Sequence, residues 1–158
     1  SYKIACELSD KIAAIASVTG SMSNSQITMC NPEYPVPIMQ IHGTADPTVS
    51  YNGNALLDIA SIDEVISYWV NFNNCTDSYS YIMPDINIMD LSTAEHYIYE
   101  NGFNGSSVEL YRVINGGHTW PGALIPLTGN NTNQDFSASQ KIAGLSYIKK
   151  LLISFCNL

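Results

Sequence analysis

The spacing of apolar and polar positions along the chain changes several times, and each change predicts a different element. Residues 2–9 carry Ile4, Ala5 and Leu8 at helical spacing. "KIAAIASV" (11–18) and "VPIMQIH" (36–42) are short apolar runs bounded by Gly and Pro, as strands buried on both faces of an α/β sheet are. Ser61 and Glu64 have the spacing of a capping box, and Ile62, Val65, Ile66, Trp69 and Val70 then trace one face, which predicts a helix over 61–73. From Tyr79 to Ile114 the pattern is alternation: "SYSYIM", "AEHYIYE" and "SVELYRVI" read as strands, with "NGFNG" as the turn between the last two. Ser137 and Gln140 repeat the capping spacing, and Ile142, Leu145, Ile148, Leu152 and Phe155 mark the inner face of a closing helix. The expected order is helix, strand, strand, helix, three strands, helix, an α/β chain.

Composition narrows the partners. At 158 residues with 46% apolar content, the chain is long enough for one domain with its own core. Six basic against fourteen acidic side chains leave a net charge of −8, which repels nucleic acid and anionic membranes. No run approaches the roughly 18 apolar residues of a membrane span. "SYKIACELSD" lacks the basic, apolar and small-residue sequence of a signal peptide, so the chain is expected to be a mature or cut piece.

Cys6, Cys30, Cys75 and Cys156 show no CxxC spacing and argue against a zinc or thioredoxin-like redox site. Their even count permits disulfides in any of three pairings, with four buried thiols as the alternative. The sequons at Asn74, Asn104 and Asn130 and the low charged content, 13%, point to an exported protein, secreted or periplasmic.

Two residues stand where chemistry collects in an open α/β sheet, just beyond the carboxyl ends of strands. Asp46 follows the run 36–42 in "HGTADPTVSYNG"; Pro47 keeps it out of helical geometry, although Asp-Pro is also a common turn pair. His118 follows the strand 107–114 in "VINGGHTWPGA", where Gly116 and Gly117 permit an unusual loop. An imidazole takes and returns protons near neutral pH, and a carboxylate fixes its tautomer. Acid then histidine, each after a strand, is the closing part of the Ser, Asp, His order of α/β-hydrolases. Trp120 is a candidate wall for the acyl or aromatic side of a substrate pocket, and Tyr51 is expected to be structural. A metal site from His42, His96 and His118 is disfavoured because no HExxH-type pair exists, and no cofactor is expected.

"ACELSDKIAAIASVTG", "PVPIMQIHGTADPTVSYNG", "VISYWVNFNNC" and "VELYRVINGGHTWPGA" together resemble successive segments of the secreted polyhydroxybutyrate depolymerase and feruloyl esterase-like branch of the α/β-hydrolases. The resemblance covers most of residues 3–123 and is weakest over 77–106. It implies that Asp46 is the triad acid and His118 the triad base. It also implies that residues 1–158 are the carboxy-terminal portion of a single three-layer α/β-hydrolase domain with an added antiparallel segment. The Gly-x-Ser-x-Gly elbow and the oxyanion segment of that family have no counterpart in the chain.

"GSMSNS" (20–25) places Ser23 in an elbow-like context, but Ser21 and Ser25 stand where the turn wants glycine, and Pro32 leaves little room for a following helix. Ser1 lies within the apparent first helix. The expected protein is therefore a serine-type carboxylic ester hydrolase acting on a polyester or an esterified polysaccharide, inactive as this chain alone. The strand at 11–18 is expected to be covered by the missing amino-terminal half or by another copy of the chain. The alternative is a non-catalytic polymer-binding domain derived from a hydrolase.

Overall fold

Pro37 decides where the second apolar run begins to pair. It has no N–H to donate, so the ladder opens one residue later, where Ile38 N donates to Ser107 O at 3.0 Å. A computed structural model describes residues 1–124 and 131–145. Its strands are β1 (Ile15–Val18), β2 (Ile38–Gly43), β3 (Asp77–Ile82), β4 (Thr93–Glu100) and β5 (Val108–Ile114), and its helices α1 (Tyr2–Glu7), α2 (Asn24–Met29) and α3 (Ile62–Asn73). The strands form one mixed five-stranded sheet in the order β1-β2-β5-β4-β3. β1, β2 and β5 run parallel, and β4 and β3 continue the sheet antiparallel. The chain is of the α/β class.

α3 forms where the capping box predicts it. Ser61 Oγ accepts from Glu64 N while Glu64 accepts from Ser61 N at 2.9 Å, and Asn74 ends the helix in the left-handed region. Its apolar face enters a core with α1, where Tyr2 and Trp69 stack with Ile38, Ile62, Val65 and Leu110 around them. The opposite face of the sheet carries a second core of Met39, Ile41, Tyr111, Val113, Phe136, Ala138 and Leu145. The last two belong to helical residues 138–145, the described start of the expected closing helix. Ile148, Leu152 and Phe155, its remaining expected face, lie outside the described residues, as do Cys156 and Asn130.

Two expectations need correction. The strand expected over 11–18 narrows to Ile15–Val18, because residues 11–14 are spent turning the chain out of α1. α2 was not foreseen. Pro32 does not block it, since the helix has already ended at Cys30 and loses no hydrogen bond to the proline ring. Cys30 bonds to Cys6, so a disulfide ties the end of α2 to α1. That bond removes the alternative of four thiols.

β1 lies at one edge of the sheet, with no further strand beside it among the described residues. β3, at the other edge, is exposed along its whole length.

Trp69 is fully buried, and its Nε1 has no hydrogen-bond acceptor among the described residues. Trp69→Ala is expected to cost about 3–5 kcal/mol in urea unfolding. Trp69→Phe, which discards an N–H already without an acceptor, is expected to cost less than half as much. Equal losses for the two variants would show that ring volume does not set the stability of this core.

Candidate active site

The ends of β2 and β5 come together because Gly43 has no side chain. A Cβ there would meet Gly116 O at 2.1 Å, so only glycine lets the two backbones pass at this distance. The two chains are then stitched together: Thr44 N donates to Val113 O at 2.8 Å and Ala45 N to Gly116 O at 3.0 Å. Asn115 N donates to the Thr44 hydroxyl. Neither Gly116 nor Gly117 adopts positive φ; the left-handed residue of this loop is Asn115, at φ 58. What the glycines supply is room, not an unusual dihedral.

This contact places Asp46 and His118, 72 positions apart in sequence, side by side. His118 Nδ1 donates to Asp46 Oδ2 at 2.9 Å and lies 3.2 Å from Oδ1. The carboxylate is wholly buried and the imidazole side chain is 33% exposed. Asp46 Oδ1 also accepts from Thr48 N and Val49 N, each at 2.8 Å, so the turn that follows Pro47 wraps its amides around the acid. An ionised carboxylate only accepts hydrogen bonds. The proton of the neutral ring therefore sits on Nδ1, and Nε2 is the basic atom.

A buried polar run inside β2 supports the acid from below. Tyr2 donates its hydroxyl hydrogen to Gln40 Oε1, and Gln40 Nε2 donates to Gly20 O at 2.8 Å and to His42 Nδ1 at 2.9 Å. His42 Nε2 then donates to Val49 O at 2.8 Å and lies 3.3 Å from Asp46 Oδ2. Each polar hydrogen in the run has its own acceptor, which fixes the tautomer of His42 and holds the Asp46 turn to α1. Desolvation pushes the His42 pKa below the usual imidazole value, outweighing the nearby Asp46 charge and the Val49 carbonyl.

A second network holds the His118 loop from behind. Gly117 N donates to Asn131 O at 2.9 Å and Gly122 N to Asn133 O at 2.8 Å. Asn133 is itself bound to Ser92 and Asp135. Asp135 accepts from Ile86 N and Asn87 N, and Asp90 accepts from Gln134 N. Gln40, His42, Asp90, Asn133 and Asp135 were not read as part of the site. A polar pair inside an otherwise apolar strand was the one local signal, and it pointed only to Gln40 and His42.

The remaining candidates are placed as follows. Trp120 is 45% exposed two residues beyond His118, and its Nε1 donates to Ser139 Oγ. Ser23 is the N-cap of α2, its Oγ accepting from Gln26 N at 2.9 Å. Ser1 caps α1. Tyr51 is buried, donates to Asp63 at 2.6 Å and meets His42 edge-on. His96 stands apart from His42 and His118, bound to Glu109 and Tyr81. Among the described residues no group of three or more His, Cys, Asp or Glu side chains could hold a metal ion. No helix among them is long and apolar enough to cross a membrane.

No family model matches the chain. It is similar to feruloyl esterase B of Piromyces equi, 28% identical over 122 residues. The match covers 72% of this chain and 21% of that protein, so the chain spans about a fifth of its relative's length. The relationship is to an esterase.

The depressed His42 pKa sets a pH dependence. The folded state resists protonation that the unfolded chain accepts, so this contribution is full above the ordinary imidazole pKa of about 6.5 and is lost as pH falls below it. Between about pH 7 and pH 5, the urea midpoint of the native sequence should therefore fall more than that of His42→Gln. An equal fall in both would remove His42 as a source of acid sensitivity.

Proposed function

We propose that this chain supplies the acid and the base of a Ser-His-Asp triad in a carboxylic ester hydrolase, with the serine and the oxyanion donors on a part of the protein outside it. The observation that carries this reading is a buried carboxylate bonded to Nδ1 of a part-exposed imidazole, beyond the carboxyl ends of two adjacent parallel strands. His118 Nε2 takes the serine proton as the hydroxyl oxygen attacks the ester carbonyl. The ring then gives that proton to the departing alcohol, leaving an acyl-serine. His118 next deprotonates the water that releases the acid and restores the serine. Asp46 holds the Nδ1 proton throughout and stabilises the imidazolium formed at each step. Trp120 flanks the acyl or aromatic part of the ester.

In this reading residues 1–158 are the carboxy-terminal portion of one α/β-hydrolase domain, related to the polyhydroxybutyrate depolymerase and feruloyl esterase-like branch. The strand carrying the nucleophile pairs with the open edge of β1, which has no strand beside it among the described residues. The similarity to feruloyl esterase B supports the ester chemistry. The Cys6–Cys30 disulfide supports export to an oxidising compartment, secreted or periplasmic.

Hydrolysis of 4-nitrophenyl acetate and methyl ferulate by the protein as encoded tests the reading. Asp46→Asn should lower kcat by about 10⁴-fold, as the same change of the acid does in a serine protease, and His118→Ala should be comparably impaired. Residues 1–158 alone should be inactive. Near-normal hydrolysis by Asp46→Asn, or ester hydrolysis by this chain alone, would overturn the assignment.

A further inference from the structure

The antiparallel end of the sheet carries an organised face that the ester chemistry does not use. The register pairs Ser78 with Tyr99, Ser80 with Tyr97 and Ile82 with Glu95, and β5 adds Val108, Leu110 and Arg112 to the same three rows. Directly opposed residues share a face. Val108 and Leu110 are buried in the α3 core, whereas β3 is exposed throughout. Where helix cover gives way to open sheet there is a cleft of about 300 Å³. Tyr97, Tyr99 and Arg112 line it from the sheet, and Tyr51, Asp63 and Ser67 from α3 and the segment before it.

The charges in this cleft are bracketed. Arg112 Nη1 lies 3.8 Å from Glu95 and its Cζ 5.2 Å over the Tyr51 ring. Tyr97 donates to Glu95 at 2.9 Å, and Tyr51 donates to Asp63 at 2.6 Å. Arg112 and Asp63 line the cleft and Glu95 stands beside it, so the guanidinium is outnumbered by carboxylates and the local charge is net negative, which disfavours phosphates, uronates and nucleic acid. A purely apolar occupant would strip water from the hydrogen-bonding capacity that these pairs leave unused on the carboxylates, hydroxyls and guanidinium. What remains is a neutral ligand that has apolar faces for half-buried tyrosine rings and hydroxyls that both donate and accept. A sugar ring meets both requirements, and a volume at the low end for ligand clefts suits one ring of a longer glycan.

We propose that this cleft is a second, non-catalytic site that binds a neutral saccharide, with one ring on Tyr97 and Tyr99 and the chain continuing over Ser78 and Ser80 of β3. Tyr51 separates it from the Asp46 side, where its ring packs edge-on against His42 at 6.0 Å.

Calorimetric titration of the protein as encoded with xylohexaose and with cellohexaose tests this. Neither probe contains an ester, so the result is independent of the hydrolase reading. Saturable binding of at least one is expected, with hexagalacturonate binding more weakly. Removing both rings with Tyr97→Ala and Tyr99→Ala should weaken binding about tenfold or more. Ser67→Trp, which fills the cleft from the exposed helix side without altering the sheet, should weaken it to a similar degree. Tyr79→Ala, on the opposite face of β3, should leave it unchanged. Absence of saturable binding by both neutral probes, undiminished binding in Ser67→Trp, or tighter binding of hexagalacturonate would overturn the proposal.

Discussion

The hydrogen bond between Asp46 and His118 is the interaction around which this fold is arranged. A carboxylate removed from water is costly unless its oxygens are paired, and Asp46 is wholly buried. Two backbone amides and an imidazole meet that demand. Because the acid is desolvated, its attraction for a proton-bearing ring is stronger than it would be at the surface. The ring, in turn, is only part-buried, so the pair joins a fixed, dry acid to a base that reaches solvent.

Its geometry depends on backbone, not on side-chain packing at the rim. Gly43 lets β2 pass against Gly116, and the hydrogen bonds of Thr44 and Ala45 then set how far the two loops travel before Asp46 and His118. Beneath the acid, Tyr2, Gln40 and His42 form a satisfied polar run through a strand whose every residue is buried. Behind the histidine, Asp90, Asn133 and Asp135 tie two loops together with amides as their partners. Both arrangements fit a site in which a small displacement is expensive, since unpaired buried groups cost more than the bonds they make contribute.

How much of this was legible depends on whether the signal was local. α3 was readable to within a residue because its cap, its apolar face and its stop all lie in one short stretch. β2 and β5 were readable because a short apolar run lies between Pro37 and Gly43 and an alternating one between Gly105 and Gly116. α2 was not, since it buries none of its residues and so leaves no periodic stripe. Asp46 and His118 were singled out by their place after strands and by a resemblance; that β2 and β5 are neighbours is a fact of topology no local pattern contains. The Asp90, Asn133 and Asp135 clamp was illegible for the same reason: its partners are 40 or more positions away, and its sequence reads only as polar loop.

If Asp46 holds His118 for proton transfer, the neutral ring must carry its hydrogen on Nδ1. ¹⁵N and ¹H NMR of imidazole-labelled protein at a pH where His118 is neutral reads that directly. The account predicts the Nδ1–H tautomer, with a downfield Nδ1 proton that disappears in Asp46→Asn. An Nε2–H tautomer for His118 in the unaltered protein would contradict it.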